Sequence, residues 1–210
     1  MAPPRVIAVA GTIGAGKSSL VAWLRDQFGM VPFFEPNDEN PYLADFYQDM
    51  PRWALHSQLF FLIRRFHIHK QIDARVAVDG RPIVQDRTIY EDVEIFAAHL
   101  HRRGFIDDRD WAMVEDLYGT LRREIRPPDL LIYLRCPLPA LTRRIKKRGR
   151  AFEQAIPKAY LAALEELYEE WIARYTLSPS IVVETDRLDY VEDLFHRHEL
   201  TETIRKHLGG

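Results

Sequence analysis

Short apolar runs alternate with long amphipathic ones along this chain. The runs at residues 5–10, 31–34, 82–85, 130–134 and 181–183 have the length and composition of buried strands. Between them, apolar spacings of three and four residues predict helices over 16–28, 51–74, 88–102, 109–123, 138–147 and 157–174. The last is the clearest. Tyr160, Leu164, Leu167, Tyr168, Trp171 and Tyr175 form one stripe, with Glu165, Glu166, Glu169 and Glu170 outside it. Pro157 suits its first turn. Strands separated by helices need crossover connections. The expected fold is therefore α/β, a five-stranded parallel sheet with helices on both faces. No repeat, low-complexity tract or linker divides the chain, so residues 1–210 read as a single domain. Two charged loops, 35–45 and 149–156, follow element ends where α/β proteins build their sites.

The pattern breaks in two places. In QDRTIYEDVEIF, residues 85–96, Ile89, Val93 and Phe96 fall at helical spacing, and Asp92 shares their face. A lone buried carboxylate costs on the order of several kcal/mol unless it is paired. In PRWALHSQLFFLIRRF, residues 51–66, the helix is apolar nearly all round, yet Gln58 and Arg65 share a face with Phe61 and Leu62. Both need polar partners. Arg65 either snorkels to the helix surface or pairs with Asp92 across two facing helices. Arg64 precedes it and competes for that role, although face geometry favours Arg65. Gln58 beside such a pair presents a donor and an acceptor together, as the edge of a nucleobase does.

Composition narrows the field. Hydrophobic residues make up 47% of the chain, which is ordinary for a globular protein and argues against disorder. A net charge of −2 gives no bulk electrostatic case for nucleic acid or membrane as partners. The single cysteine, Cys136, rules out an intrachain disulfide framework and fits a reducing cytosol. The apolar run in MAPPRVIAVAG is too short for a signal peptide, and no stretch is long enough to span a bilayer, so the cytoplasm is the expected location. The histidines, His67, His69, His196 and His198 among them, lack metal-ligand spacing and read as surface or packing residues.

The strongest chemical signal is GTIGAGKS, which fits G-x-x-x-x-G-K-[ST] between a strand and a helix. Gly11, Thr12, Ile13, Gly14, Ala15, Gly16, Lys17 and Ser18, with Ser19 after them, are the expected ATP-binding set. The glycines turn backbone N–H groups toward phosphate oxygens, and the helix N-terminus adds its partial positive charge. Lys17 is expected at the β and γ phosphates, and the Ser18 hydroxyl at Mg²⁺. A second magnesium contact should come from an acid ending a neighbouring strand. Asp86 directly follows 82–85. Asp79 competes, but Gly80 after it favours a turn there.

Two further stretches bear on the transfer itself. Glu35, in FFEP, ends the second strand, where it is either an exposed loop acid or a base for an attacking hydroxyl. In RRIKKRGRAFEQAIP, Arg144 and Arg148 share a helix face, and Arg150 follows Gly149. A solvated face is the plain reading of such a charge run. Beside a phosphate cradle it reads as a short arginine-rich lid, over about 144–156, that closes on the triphosphate.

At these residues the sequence resembles the deoxyribonucleoside kinase family, over most of the chain and with five elements in the family's order. These are the P-loop, Glu35 in EP, Tyr47 with Trp53 and Gln58, the DR[ST] motif at Asp86, Arg87 and Thr88, and RxxxRGRxxE at Arg144, Arg148, Arg150 and Glu153. The resemblance implies a P-loop kinase fold and ATP-dependent phosphorylation of a 2′-deoxynucleoside on its 5′-OH. It implies Glu35, Arg87 and Lys17 as the catalytic residues. Glu35 would take the hydroxyl proton, and Arg87 would hold that hydroxyl and the incoming phosphoryl group. Ser18 and Asp86 would serve Mg²⁺. Gln58 would pair with the base beside Arg65 and Asp92, with Phe96 and Trp53 lining its slot. Tyr47 and Glu153 would bind the 3′-OH, and Tyr47 would crowd a 2′-OH. Arg144, Arg148 and Arg150 would close over the donor phosphates. Arg187 and Leu188 would flank the donor adenine, and a homodimer is implied.

Within the family, NPYL…FY and QDR[ST]IYED look most like bacterial deoxyadenosine kinases, with deoxycytidine a second substrate and deoxyguanosine kinases close relatives. A nucleoside monophosphate kinase would need extra arginines at the acceptor, where this chain has the acidic NDEN. A P-loop regulatory switch would not need Gln58, Arg65 and Asp92 on buried faces, and no NKxD-type segment is present.

Overall fold

The computed structural model of the chain describes residues 5–34, 39–186, 201, 202 and 204. Glu35, Asp38, Arg187, Leu188, His196 and His198 lie outside those residues. Strands β1 (Val6–Ala10), β2 (Val31–Phe33), β3 (Ile83–Asp86), β4 (Leu130–Arg135) and β5 (Ser180–Glu184) form one sheet in the order β2-β3-β1-β4-β5. Every pairing is parallel. β2 is an edge strand, which tolerates Pro32.

Helices cover both faces, and side-chain alternation along the central strands divides the core accordingly. Ala8, Ala10, Leu131 and Tyr133 pack on one side, with residues of the helices α3 (Met50–Val78), α6 (Asp108–Arg123) and α8 (Lys158–Ala173). Ile7, Val9, Ile132 and Leu134 pack on the other, with residues of α1 (Lys17–Phe28) and α7 (Leu138–Arg148). All eight of these strand residues are buried. That double burial is why the strands read as continuous apolar runs. Among the described residues, no helix is long and apolar enough to cross a membrane.

Three departures from the expected elements bear on the site. A short helix, α2 (Leu43–Gln48), starts inside the expected loop 35–45, where no helix is predicted. α3 runs 29 residues, about 43 Å at 1.5 Å per residue, and Asp49 caps it by accepting from the Arg52 N–H. Its last turn takes up residues 76–78, so Asp79 ends a helix and precedes β3 rather than following a strand. The segment after β3 is also not one regular α-helix. α4 (Ile89–Glu91) passes into a π-helical turn, Asp92–Ala97, and then into α5 (Ala98–Arg102). π-turns are rare and cluster at functional sites.

Candidate active site

β1 delivers the chain into the glycine-rich loop, which needs conformations few side chains allow. Gly14 has φ +86°, and a Cβ there would sit 2.9 Å from Ile145 Cγ1. A Cβ on Gly11 would approach the Leu134 carbonyl oxygen to 2.9 Å. The Lys17 ammonium lies inside the loop, donating to the carbonyls of Gly11 at 2.8 Å and Thr12 at 3.2 Å. α1 begins at Lys17, so its N-terminal N–H groups open into the loop.

Parallel pairing sets Val9 beside Asp86, bringing the end of β3 level with this loop. The Ser18 hydroxyl donates to Asp86 Oδ2 at 2.6 Å. A hydroxyl and a buried carboxylate side by side are the hard oxygen donors Mg²⁺ takes, so the residues fit that ion. Asp79 is elsewhere: it pairs with Arg75 and Arg81, and Arg81 holds its carboxyl below the usual carboxylate range.

Arg87 follows at once, with φ +67°. Its N–H donates to the Val9 carbonyl at 2.9 Å and its Nη2 to the Gly11 carbonyl at 3.4 Å. The guanidinium lies 4.3 Å from the centroid of the Phe96 ring, a cation–π contact. Thr88 then caps α4 in a reciprocal box with Glu91. Glu91 is fully buried and accepts from the Thr88 N–H at 2.8 Å, the Tyr168 hydroxyl at 2.8 Å and the Gly11 N–H at 3.4 Å. Burial raises its carboxyl, while the charges of Arg87 and Lys17 oppose that rise. Glu91 was not among the expected site residues. Its signal was the capping-box spacing T-x-x-E, counted from Thr88.

At the far end of the cleft, Arg65 Nε donates to Asp92 Oδ2 at 3.0 Å and Nη2 to Oδ1 at 3.3 Å. Both side chains are buried, so Arg65 answers the charge of Asp92 and does not snorkel. A third nitrogen, Nη1, donates to the Asp86 carbonyl at 3.0 Å. Arg64 instead pairs with Glu39 near the surface.

Between these ends lies a cleft of about 780 Å³, counted to its open mouth. Lys17, Ser18 and Ser19 line it on the phosphate side. Gln58, Asp92 and Phe96 also line it, and Arg87, bonded to Gly11 and stacked on Phe96, lines it too. The segment after α7, a 3₁₀ turn over Ala151–Ala155, supplies Arg150, Phe152 and Glu153 with its flank. The buried Glu153 carboxylate accepts from Arg148 at 2.9 and 2.8 Å, and Arg150 approaches it to 3.5 Å. Phe152 stacks on Tyr47, the rings 3° from parallel.

Of the expected residues, Gly11, Thr12, Ala15, Trp53, Arg65, Asp86 and Arg144 do not line this cleft. Arg144 donates to the carbonyl of Ala15 at 3.0 Å and to the Thr185 hydroxyl at 3.1 Å, and also binds the Thr185 carbonyl. It braces the P-loop from behind rather than standing free on the lid, because its position on α7 faces the end of the sheet. Trp53 stacks on Tyr42 at 5.7 Å, outside the lining. Leu43, Phe46, Phe152 and Tyr160 line the cleft without having been expected there, and Phe61 lines it on the face it shares with Gln58. The first two come from α2, which begins inside the expected loop 35–45 and runs past it.

A phosphate cradle, an oxygen pair suited to magnesium and an open cleft lined by polar and apolar side chains together define a P-loop phosphotransferase. The chain belongs to the deoxynucleoside kinase family, whose model matches residues 7–209. It is 34% identical over 214 residues to a deoxyadenosine kinase of Lactobacillus acidophilus, covering 97% of this chain and 96% of the relative. It is 35% identical over 190 residues to the deoxyadenosine/deoxycytidine kinase of Bacillus subtilis, covering 90% and 86%. A deoxyguanosine kinase of L. acidophilus is 34% identical over 207 residues, covering 95% and 89%. The structure of deoxyadenosine kinase from M. mycoides with bound dATP superposes with a TM-score of 0.80 at 32% identity, covering 96% of this chain and 99% of that one.

Proposed function

We propose that this deoxynucleoside kinase transfers the γ-phosphoryl group of ATP to the 5′-OH of deoxyadenosine, with deoxycytidine as a second acceptor. The observation that carries the reading is the layout of one cleft. Its cationic, glycine-rich part lies at the Ser18–Asp86 contact, and the same cleft is lined by Gln58 and by Asp92, which Arg65 pairs. The likeness to deoxyadenosine and deoxyadenosine/deoxycytidine kinases supports the choice of base. Deoxyguanosine is the alternative, because deoxyguanosine kinases are similar to this chain at comparable identity.

The 5′-oxygen attacks the γ-phosphorus in line, its O–H proton passes to Glu35, and the bond to the ADP oxygen breaks. Lys17 binds the β and γ phosphates. Arg87 holds the 5′-oxygen and the transferring group, and Arg148 and Arg150 leave Glu153 for the donor phosphates as the lid engages. Ser18 and Asp86 would hold Mg²⁺, which when bound neutralises charge on the phosphate oxygens. Tyr47 and Glu153 bind the 3′-OH. Gln58 pairs with the base edge, and Phe96 packs on the base. Catalysis is then mainly positioning and charge neutralisation. The chain works as one domain, as a homodimer in the cytoplasm.

Offering deoxyadenosine and dAMP separately with γ-labelled ATP tests the reading. Label should appear in dAMP formed from deoxyadenosine. Label transferred only when dAMP is the acceptor would make the protein a monophosphate kinase.

A further inference from the structure

Among the described residues, Arg87 alone has a positive φ without being glycine. Such a conformation costs about 1–3 kcal/mol and persists only where the surroundings over-determine it. Two contacts hold its main chain, and two more anchor them. The Arg87 N–H is held by the Val9 carbonyl. Its carbonyl accepts from Gln85 Nε2 at 2.8 Å. Gln85 Nε2 also lies 3.2 Å from His69 Nε2, and that same ring nitrogen accepts the N–H of Ile89 at 3.3 Å.

The chemistry of this relay is determined. A carbonyl only accepts, so the Gln85 amide must present its nitrogen to Arg87. That nitrogen has a second hydrogen, which points at His69. The Ile89 N–H is also a donor, so His69 Nε2 must be unprotonated, with the ring proton on Nδ1. Burial, aided by the charge of Arg65, pushes the imidazole down to about 3, which keeps this acceptor in place at neutral pH. His69 stands one turn beyond Arg65 on α3 and, like Gln85, is buried. Neither side chain lines the cleft.

We propose that His69 and Gln85 are positioning residues for Arg87, holding the main chain at residues 87–89 in the left-handed turn that aims the guanidinium between the P-loop and Phe96. The proposal rests on the reading of Arg87 as the residue at the reacting oxygens.

The test compares His69→Leu, Gln85→Met, His69→Gln and Arg87→Ala for steady-state kinetics with deoxyadenosine and ATP, and for melting temperature. His69→Gln restores an acceptor near the position of Nε2. The Leu and Met variants should lower kcat at least tenfold while both KM values stay within threefold. His69→Gln should recover kcat to within threefold of wild type. Folded Leu and Met variants with kcat within twofold of wild type would overturn the proposal. So would losses of kcat and affinity that simply follow melting temperature, or failure of both variants to fold, since the pair would then be a packing element. An Arg87→Ala variant with unchanged kcat would instead remove the role given to Arg87 itself.

Discussion

Arg65 and Asp92 form a buried two-point ion pair between α3 and the π-turn, and the same guanidinium holds the Asp86 carbonyl. The part of the cleft lined by Asp92 is thus fastened directly to the strand end that carries the proposed metal ligand. Removing one partner of such a pair leaves a buried charge uncompensated, which costs about 3–5 kcal/mol. Asp92→Ala should therefore lower the melting temperature. It should also change the ratio of kcat/KM between deoxyadenosine and deoxycytidine at least tenfold. A less stable protein with an unchanged ratio would make the pair a core element only.

The P-loop glycines give a second prediction. Gly14→Ala would strain a φ of +86° and push a methyl group against Ile145. We expect ATP affinity, read by isothermal titration, to fall at least tenfold, with the affinity for deoxyadenosine changed far less. Equal weakening of both would point to a general loss of fold.

Glu91 ties the cap of α4 to the first glycine of the loop. Glu91→Ala deletes the capping box, about 1 kcal/mol, and leaves buried donors at Thr88, Gly11 and Tyr168 without this acceptor, about 1–3 kcal/mol more. Urea unfolding should show that loss. The KM for ATP should rise more than that for the nucleoside.

His69 predicts a pH dependence of stability. In the fold its pKa is pushed down to about 3, whereas the unfolded chain takes up the proton near the ordinary value of 6.5. The unfolded state therefore binds more protons between those limits. Stability from this group is complete above pH 6.5 and declines as pH falls toward 3, by up to about 1.4 kcal/mol per pH unit. His99 is also lowered by burial, so the comparison should be made against His69→Gln. The difference between the two unfolding free energies should be flat from pH 8 to 7 and slope between pH 6 and 4. A flat difference throughout would contradict a neutral, buried His69.

Much of this arrangement was legible from pattern alone. The five strands were visible as short apolar runs because both sheet faces are covered. Asp92 and Arg65 stood out because each places a charge on an apolar face. Other features had no such signal. α2 spans only six residues after a polar loop, too short for periodicity to register. The π-turn packs against α3 and α8, tertiary contacts that local propensity does not encode. Arg144 and Arg148 share one helix face in sequence, but only the fold turns the first toward Ala15 and the second toward Glu153. His69 read as a packing residue, since its partners, Gln85 and the N–H of Ile89, are brought to it by tertiary contact.

The central claim is phosphoryl transfer to a deoxynucleoside chosen at the Gln58–Asp92 end of the cleft. A steady-state panel of deoxyadenosine, deoxyguanosine, deoxycytidine and thymidine with ATP and Mg²⁺ tests it most directly. The account predicts the highest kcat/KM for deoxyadenosine and the next for deoxycytidine. A higher value for deoxyguanosine would contradict the assigned base, and no turnover with any of the four would contradict the reaction.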